Sequence, residues 1–204
     1  GTETIPRVDR IVGPGGAFVA EAKIQLAGIV SSEAPARPSE LLVIVDHGQD
    51  LAAVAADVVA QAEHDPRAGI AVIMVGGARP AGAAASRLAD TILEAARGTP
   101  RAAIVRESLA GNGALLWADS RAAAIDFVND YAPEHLLLAV PGAESWLTSV
   151  RHAGTVYLGT HASPVFGDYL TGANHTLPTG GAARSWSGLS TADFVRWTTW
   201  QQIA

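Results

Sequence analysis

The sequence predicts an α/β fold with a mainly parallel sheet. Short, near-continuous apolar runs recur along the chain, Ala-rich stretches with helical spacing separate them, and the two alternate as strand, helix, strand. Unbroken apolar runs suit strands buried on both faces, and a helix between consecutive strands is the usual right-handed crossover of a parallel sheet.

In chain order, the first strand-like run is Val8 to Val12, followed by the turn Gly13-Pro14-Gly15-Gly16 and a helix expected over residues 15–27. That turn is neither the dinucleotide fingerprint nor a P-loop, because it has no G-x-G-x-x-G and no Gly-Lys-Ser/Thr. A strand over Leu41 to Val45 leads to a helix over 51–64, where Leu51, Val54, Ala55, Val58, Val59 and Ala62 form one apolar stripe. Asp50 caps that helix and Asp65-Pro66 ends it. Strands over Ala71 to Val75, Ala114 to Trp117, Leu136 to Val140 and Thr155 to Leu158 follow, with helices expected over 81–96, 120–130 and 143–152. From about Thr160 to Ser190 Gly, Pro, Ser, Thr and Asn dominate, and so long an irregular stretch in a compact protein is more often functional than idle. A last helix is expected over about 191–202, carrying Phe194, Trp197 and Trp200.

Composition narrows the function classes. The 204 residues are 49% hydrophobic and 17% charged, as in a globular protein with a sizeable core. Net charge is −6 and basic residues do not cluster, so the reading is no nucleic-acid partner. With no cysteine, any metal must be held by His, carboxylate or amide groups. There is no apolar run of membrane length and no basic leader at the start, so no membrane partner and a cytoplasmic location are expected. The abrupt start, without Met, suggests a piece of a longer protein.

Four constellations could carry chemistry. Gln61 and His64 stand three apart at the end of the 51–64 helix and can point at one spot, though a helix-terminal His is often only a capping or solvated residue. Pro133-Glu134-His135 stands at a strand entrance, where two ionisable groups can be a general-base pair or an ordinary loop. Gly167-Asp168-Tyr169 and Gly172-Ala173-Asn174-His175 offer oxygen and nitrogen donors on a backbone that glycine lets approach a ligand, or else form a surface loop. Gly13 to Gly16 resembles a phosphate-approach turn, and a plain strand-to-helix turn fits it as well.

In this order and at these separations, the segments resemble those of the histidinol dehydrogenases. The resemblance runs from Gly1-Thr2-Glu3-Thr4-Ile5-Pro6 through Ser39-Glu40, Gln61 to Pro66, Pro133 to Leu136 and Gly167 to Pro178 to Ser187-Gly188-Leu189. It implies incomplete Rossmann-like domains and a two-stage oxidation of L-histidinol to L-histidine, with two hydrides passed to NAD. It further implies that Gln61, His64 and Asp168 ligate Zn2+, that Glu134 and His135 are the catalytic dyad, and that Ser39 contacts substrate together with Gln61, His64, His135 and Asp168. On the same basis His135 takes the hydroxyl proton, Glu134 activates the water of the second stage, and the full-length protein is a homodimer.

Three departures accompany the resemblance. Gly16 stands where the family has an Asn that contacts NAD, Arg37 replaces a Gly, and Ser31-Ser32-Glu33 replaces an Ile-Asp pattern. By the same comparison residues 1–38 close the family's second Rossmann-like domain, 39–190 form the second half of its first with an active-site loop at 160–190, and 191–204 form a C-terminal helix. An N-terminal half and a tail that supplies a fourth zinc ligand are missing. The alternative is a truncated or divergent scaffold that binds metal or ligand without turnover.

Overall fold

A computed structural model describes residues 1–13, 15–35, 37–76 and 82–203. Its main body is a five-stranded sheet of β3 (Glu40–Asp46), β4 (Gly69–Val75), β5 (Gly113–Ala118), β6 (His135–Ala139) and β7 (Thr155–Leu158), in the order β5-β4-β3-β6-β7 with every pairing parallel. The expected fold class and all five strand positions hold. At the β5 edge, however, Gly113, Ala114 and Leu115 are exposed, so that strand is not buried on both faces.

Alternate side chains of the strands feed two cores. Leu41, Val43, Val45, Leu137 and Ala139 face α2 (Leu51–Ala62), α3 (Gly82–Arg97) and α4 (Ala102–Asn112), while Leu42, Ile44, Leu136 and Leu138 face α5 (Arg121–Tyr131) and the 3-10 segment Ala143–Ser149. Asp50 caps α2 by accepting from the N–H groups of Ala52 and Ala53, and Ser120 caps α5 through Ala123. The α4 helix is an addition to the sequence reading: Gly98-Thr99-Pro100 hides its start, yet Val105 packs fully buried into the first core. The expected helix over 143–152 is instead 3-10, and that expected over 81–96 is seen from Gly82, with residue 81 outside the described residues.

A second unit stands beside this sheet. β1 (Arg10–Ile11) and β2 (Ser31–Ser32) pair in parallel across α1 (Ala17–Leu26), which buries no residue. Lys23 bridges Glu33 and the Gly13 carbonyl, and the Gly13 N–H donates to Glu33 at 3.1 Å, which fixes the turn before α1.

The C-terminal segment corrects an expectation. In place of a helix over 191–204 there is one 3-10 turn, Thr191–Phe194, followed by chain without regular secondary structure to Ile203, with Ala204 outside the described residues. Val195, Trp197, Thr198, Thr199 and Trp200 are weak helix formers, and with Trp197 and Trp200 exposed there is no packed face to stabilise a helix. The turn docks on β1, where Arg10 pairs with Asp193 at 2.8 Å and lies over the Phe194 ring.

Candidate active site

His135 opens β6, in register with Leu41 of β3 and Thr155 of β7. Strand alternation puts its side chain on the α2 face with Leu137 and Ala139, and it is 3% exposed. The chain reaches it through a strained turn. Ala132 ends α5 in the left-handed region at φ 54°, and Pro133 follows directly, although a residue before proline is normally held extended.

The imidazole has a defined orientation. Its Nδ1 stands 3.1 Å from the Glu40 carbonyl and 3.5 Å from Glu134 Oε2. A carbonyl only accepts, so in the neutral ring Nδ1 carries the proton and Nε2 is the basic nitrogen. Nε2 is buried without a hydrogen-bond partner, 3.8 Å from Asp168 Oδ1, which is likewise buried and unpartnered. Tyr157 stacks against the ring at 5.9 Å between centroids. Burial by itself would lower the pKa of His135, but the Asp168 and Glu134 carboxylates outweigh it and push it up to about 9.

A relay of hydrogen bonds holds Glu134. Gln61 Nε2 donates to Ser39 Oγ at 2.6 Å, Ser39 Oγ donates to Glu134 Oε2, and the Glu40 N–H donates to the same oxygen at 2.9 Å. The last full turn of α2 therefore reaches the sheet edge where β3 begins. Glu40, unremarked in the sequence beyond its place after Ser39, contributes twice more: its carbonyl anchors His135, and its carboxylate accepts from the Gly180 N–H at 3.0 Å. Burial and the nearby Glu134 keep the Glu40 carboxyl above its usual range. Arg37 donates its backbone N–H to Thr179 Oγ1 at 2.6 Å, and its stem packs on Gly180.

Of the residues singled out from sequence, Ser39, Gln61, Glu134, His135 and Asp168 thus form one linked cluster. His64 lies just beyond α2, exposed; its N–H donates to the Gln61 carbonyl at 3.2 Å and its own carbonyl accepts from Arg101, while its ring has no hydrogen bond among the described residues. His175, in the loop after Asp168, is also exposed. The whole cluster lies at the amino ends of the strands. In open α/β sheets a ligand crevice more often lies at their carboxyl ends, here between β3 and β6 where the strand order reverses.

Neither implied cofactor finds a complete site in these residues. Among the described residues no group of three His, Asp or Glu side chains is spaced to hold a metal ion, although Asp168 offers a buried, unpartnered oxygen. For a dinucleotide, the α2 N-terminus is already filled by its own Asp50, and the Gly13 N–H by Glu33. Gly16 presents no side-chain amide, although a side chain there would meet open space.

Comparison with known proteins decides the family. The histidinol dehydrogenase family model matches residues 1–204. The chain is 43% identical over 204 residues to a histidinol dehydrogenase of Methanosarcina mazei, covering 100% of this chain and 46% of that protein. It is 44% identical over 196 residues to one of Pseudomonas aeruginosa, covering 96% and 43%.

The chain belongs to the histidinol dehydrogenase family. The crystal structure of a histidinol dehydrogenase from Elizabethkingia anophelis superposes with a TM-score of 0.86 at 37% identity, over 93% of this chain and 43% of that one. Gamma-glutamyl phosphate reductase from Thermotoga maritima, at 14% identity and a TM-score of 0.53, shares the fold alone. The chain spans about half the length of the curated relatives it matches.

Proposed function

We propose that the chain is the proton-handling part of a longer cytoplasmic, NAD-dependent and zinc-assisted histidinol dehydrogenase, which oxidises L-histidinol to L-histidine in two steps. One observation carries the reading: a buried imidazole with Nδ1 anchored on a backbone carbonyl and Nε2 free, flanked by two carboxylates.

That arrangement suits an alcohol oxidation. As hydride leaves the carbinol carbon, the hydroxyl must lose its proton, and Nε2 of His135 is the basic nitrogen placed to take it. Asp168 and Glu134 stabilise the imidazolium that results. In the second stage the aldehyde-level carbon must gain water. Glu134, with Oε2 held by Ser39 and Glu40, is the carboxylate that would take a proton from that water. NAD, when bound, supplies the hydride acceptor.

Zinc would supply a fixed point for the substrate's amino and imidazole nitrogens, with Gln61, His64 and Asp168 among its ligands and further donors from outside this chain. A homodimer would be one source of such donors. Nothing in the chain's proton chemistry requires the metal to change redox state.

Among the described residues neither a metal nor a dinucleotide finds a complete site, and the chain spans less than half of its relatives' length. The chain alone is therefore expected to show no measurable histidinol-dependent NADH formation. A full-length protein carrying it should show that activity and lose it on His135→Ala. Robust turnover by the 204 residues alone would overturn the reading that further segments are needed, and full activity in His135→Ala would overturn the assignment of the base.

A further inference from the structure

Asp57 is a carboxylate that the chemistry above does not use. It sits midway along α2 at 7% exposure, between the fully buried Val54 and Val58. Burial raises its carboxyl above the usual aspartate range, against the hydrogen bond from Ser163 and the charge of His161. A carboxylate so buried, with a hydroxyl as its hydrogen-bond partner, is a poor choice for stability, and an apolar residue would serve the core better.

The hydroxyl that Asp57 accepts from belongs to the cap of α6 (Pro164–Tyr169). Ser163 Oγ donates to Asp57 Oδ1 and accepts from the Val165 N–H at 3.4 Å. Just upstream, Thr160 Oγ1 donates to Gln49 Oε1 at 2.7 Å. Both bonds tie the β7 to α6 connection to α2 and the turn that precedes it. The six residues of α6 are too few to hold a fixed orientation without such ties, and Asp168 is the fifth of them. On its other side α6 rests on β7, where Gly167 leaves room for no more than a hydrogen against the Tyr157 hydroxyl. Gln61, which starts the relay to Glu134, lies one turn beyond Asp57 on the same face of α2.

We propose that Asp57 is a positioning residue: through Ser163 it sets α6 so that the Asp168 carboxylate stands beside Nε2 of His135, and α2 thereby holds both carboxylate arms of the imidazole in one register. The catalytic consequence rests on the reading of His135 as the proton acceptor; the geometric one does not.

The test uses Ser163→Ala, Asp57→Leu, Asp57→Asn and the double variant Asp57→Leu with Ser163→Ala, made in the full-length protein that carries this chain. Asp57→Asn keeps an oxygen for the Ser163 hydroxyl, whereas Asp57→Leu keeps bulk without an acceptor. Ser163→Ala and Asp57→Leu should each lower kcat by about 10- to 100-fold with a far smaller change in KM, the scale of a reacting group displaced by about 1 Å. The double variant should be no worse than the worse single, and Asp57→Asn should recover most of the rate. Independently of turnover, the ring resonances of His135 should move in Ser163→Ala and stay near wild type in Asp57→Asn, with those of His47 and His152 fixed throughout. If Asp57→Leu does not fold, Ser163→Ala, which removes one oxygen, carries the test.

Wild-type kcat with unmoved His135 resonances in Ser163→Ala would overturn the proposal. So would additive losses in the double variant, or a lowered melting temperature with rate and resonances unchanged. If the wild-type protein does not oxidise histidinol, the functional reading fails, and the His135 resonances alone decide the positioning role.

Discussion

At the scale of single residues, the site depends on how closely the backbone approaches itself. Gly154 donates its N–H to the Pro133 carbonyl at 2.9 Å, and a Cβ at that position would stand 2.6 Å from the Glu134 carbonyl oxygen. Backbone cannot swing aside as a side chain can. Gly154→Ala should therefore cost about 1–3 kcal/mol, as overpacking does, and displace Glu134; a denaturant melt reads the first and histidinol turnover of the full-length protein the second. His135 gives a pH prediction. Its folded pKa, near 9, lies above the ordinary 6.5, so the stability it contributes is complete below about 6.5 and is lost as pH rises through 9. The metal-free chain should lose stability over that interval, its His135 ring signals should titrate near pH 9, and His135→Gln should flatten the stability curve. A ring titrating near 6 would show that Asp168 and Glu134 do not act on it together.

At the scale of elements, α2 and α6 set the geometry. Capping by Asp50 and the apolar stripe fix α2, and its end delivers Gln61 to Ser39. The short α6 has no such independence and depends on where its ends are pinned. Gly167→Ala tests this, because the added methyl would overlap the hydroxyl of Tyr157, a ring that is itself buried and stacked on His135. The expected outcome is a kcat loss of about tenfold or more with modest loss of stability, since α6 must rotate away and carry Asp168 with it. An unchanged kcat would mean that Tyr157 yields without moving the ring it stacks on.

At the scale of the whole molecule, the apolar surface is distributed unevenly. The five-stranded sheet has an apolar core on each face, whereas α1 leaves Phe18 94% exposed and the last segment leaves Trp197 99% exposed. Large exposed apolar side chains in such numbers are unusual for a monomer on its own. The isolated chain should bind a hydrophobic dye strongly, and Phe18→Ser together with Trp197→Ser should reduce that binding. Weak dye binding by the wild-type chain would show that these side chains are covered, by its own segments or by a second copy. No helix among the described residues is long and apolar enough to cross a membrane.

Apolar runs and helical spacing were enough to place all five strands of the main sheet, its parallel sense, and helices α2, α3 and α5, because a strand buried on both faces and an amphipathic helix leave a periodic record. The pairs Glu134-His135 and Gln61-His64 were visible for the same local reason. Local pattern could not say that Gln61 joins the cluster while His64 stays in solvent, because a small change in where α2 ends decides which residue faces the sheet. Nor could it show that Glu40 anchors the imidazole through its carbonyl, since every residue carries one. Asp57 did leave a trace, as a carboxylate interrupting the apolar stripe of α2, but its partner lies 106 residues away. Helix 191–202 failed for the opposite reason: its aromatic spacing needed a packed face that the described residues do not provide. The sequence by itself determined the strands, the crossovers and the chemical groups available. Only tertiary structure decided which of them meet, because the site is assembled at the amino ends of strands that are distant along the chain, by hydrogen bonds that no local pattern encodes.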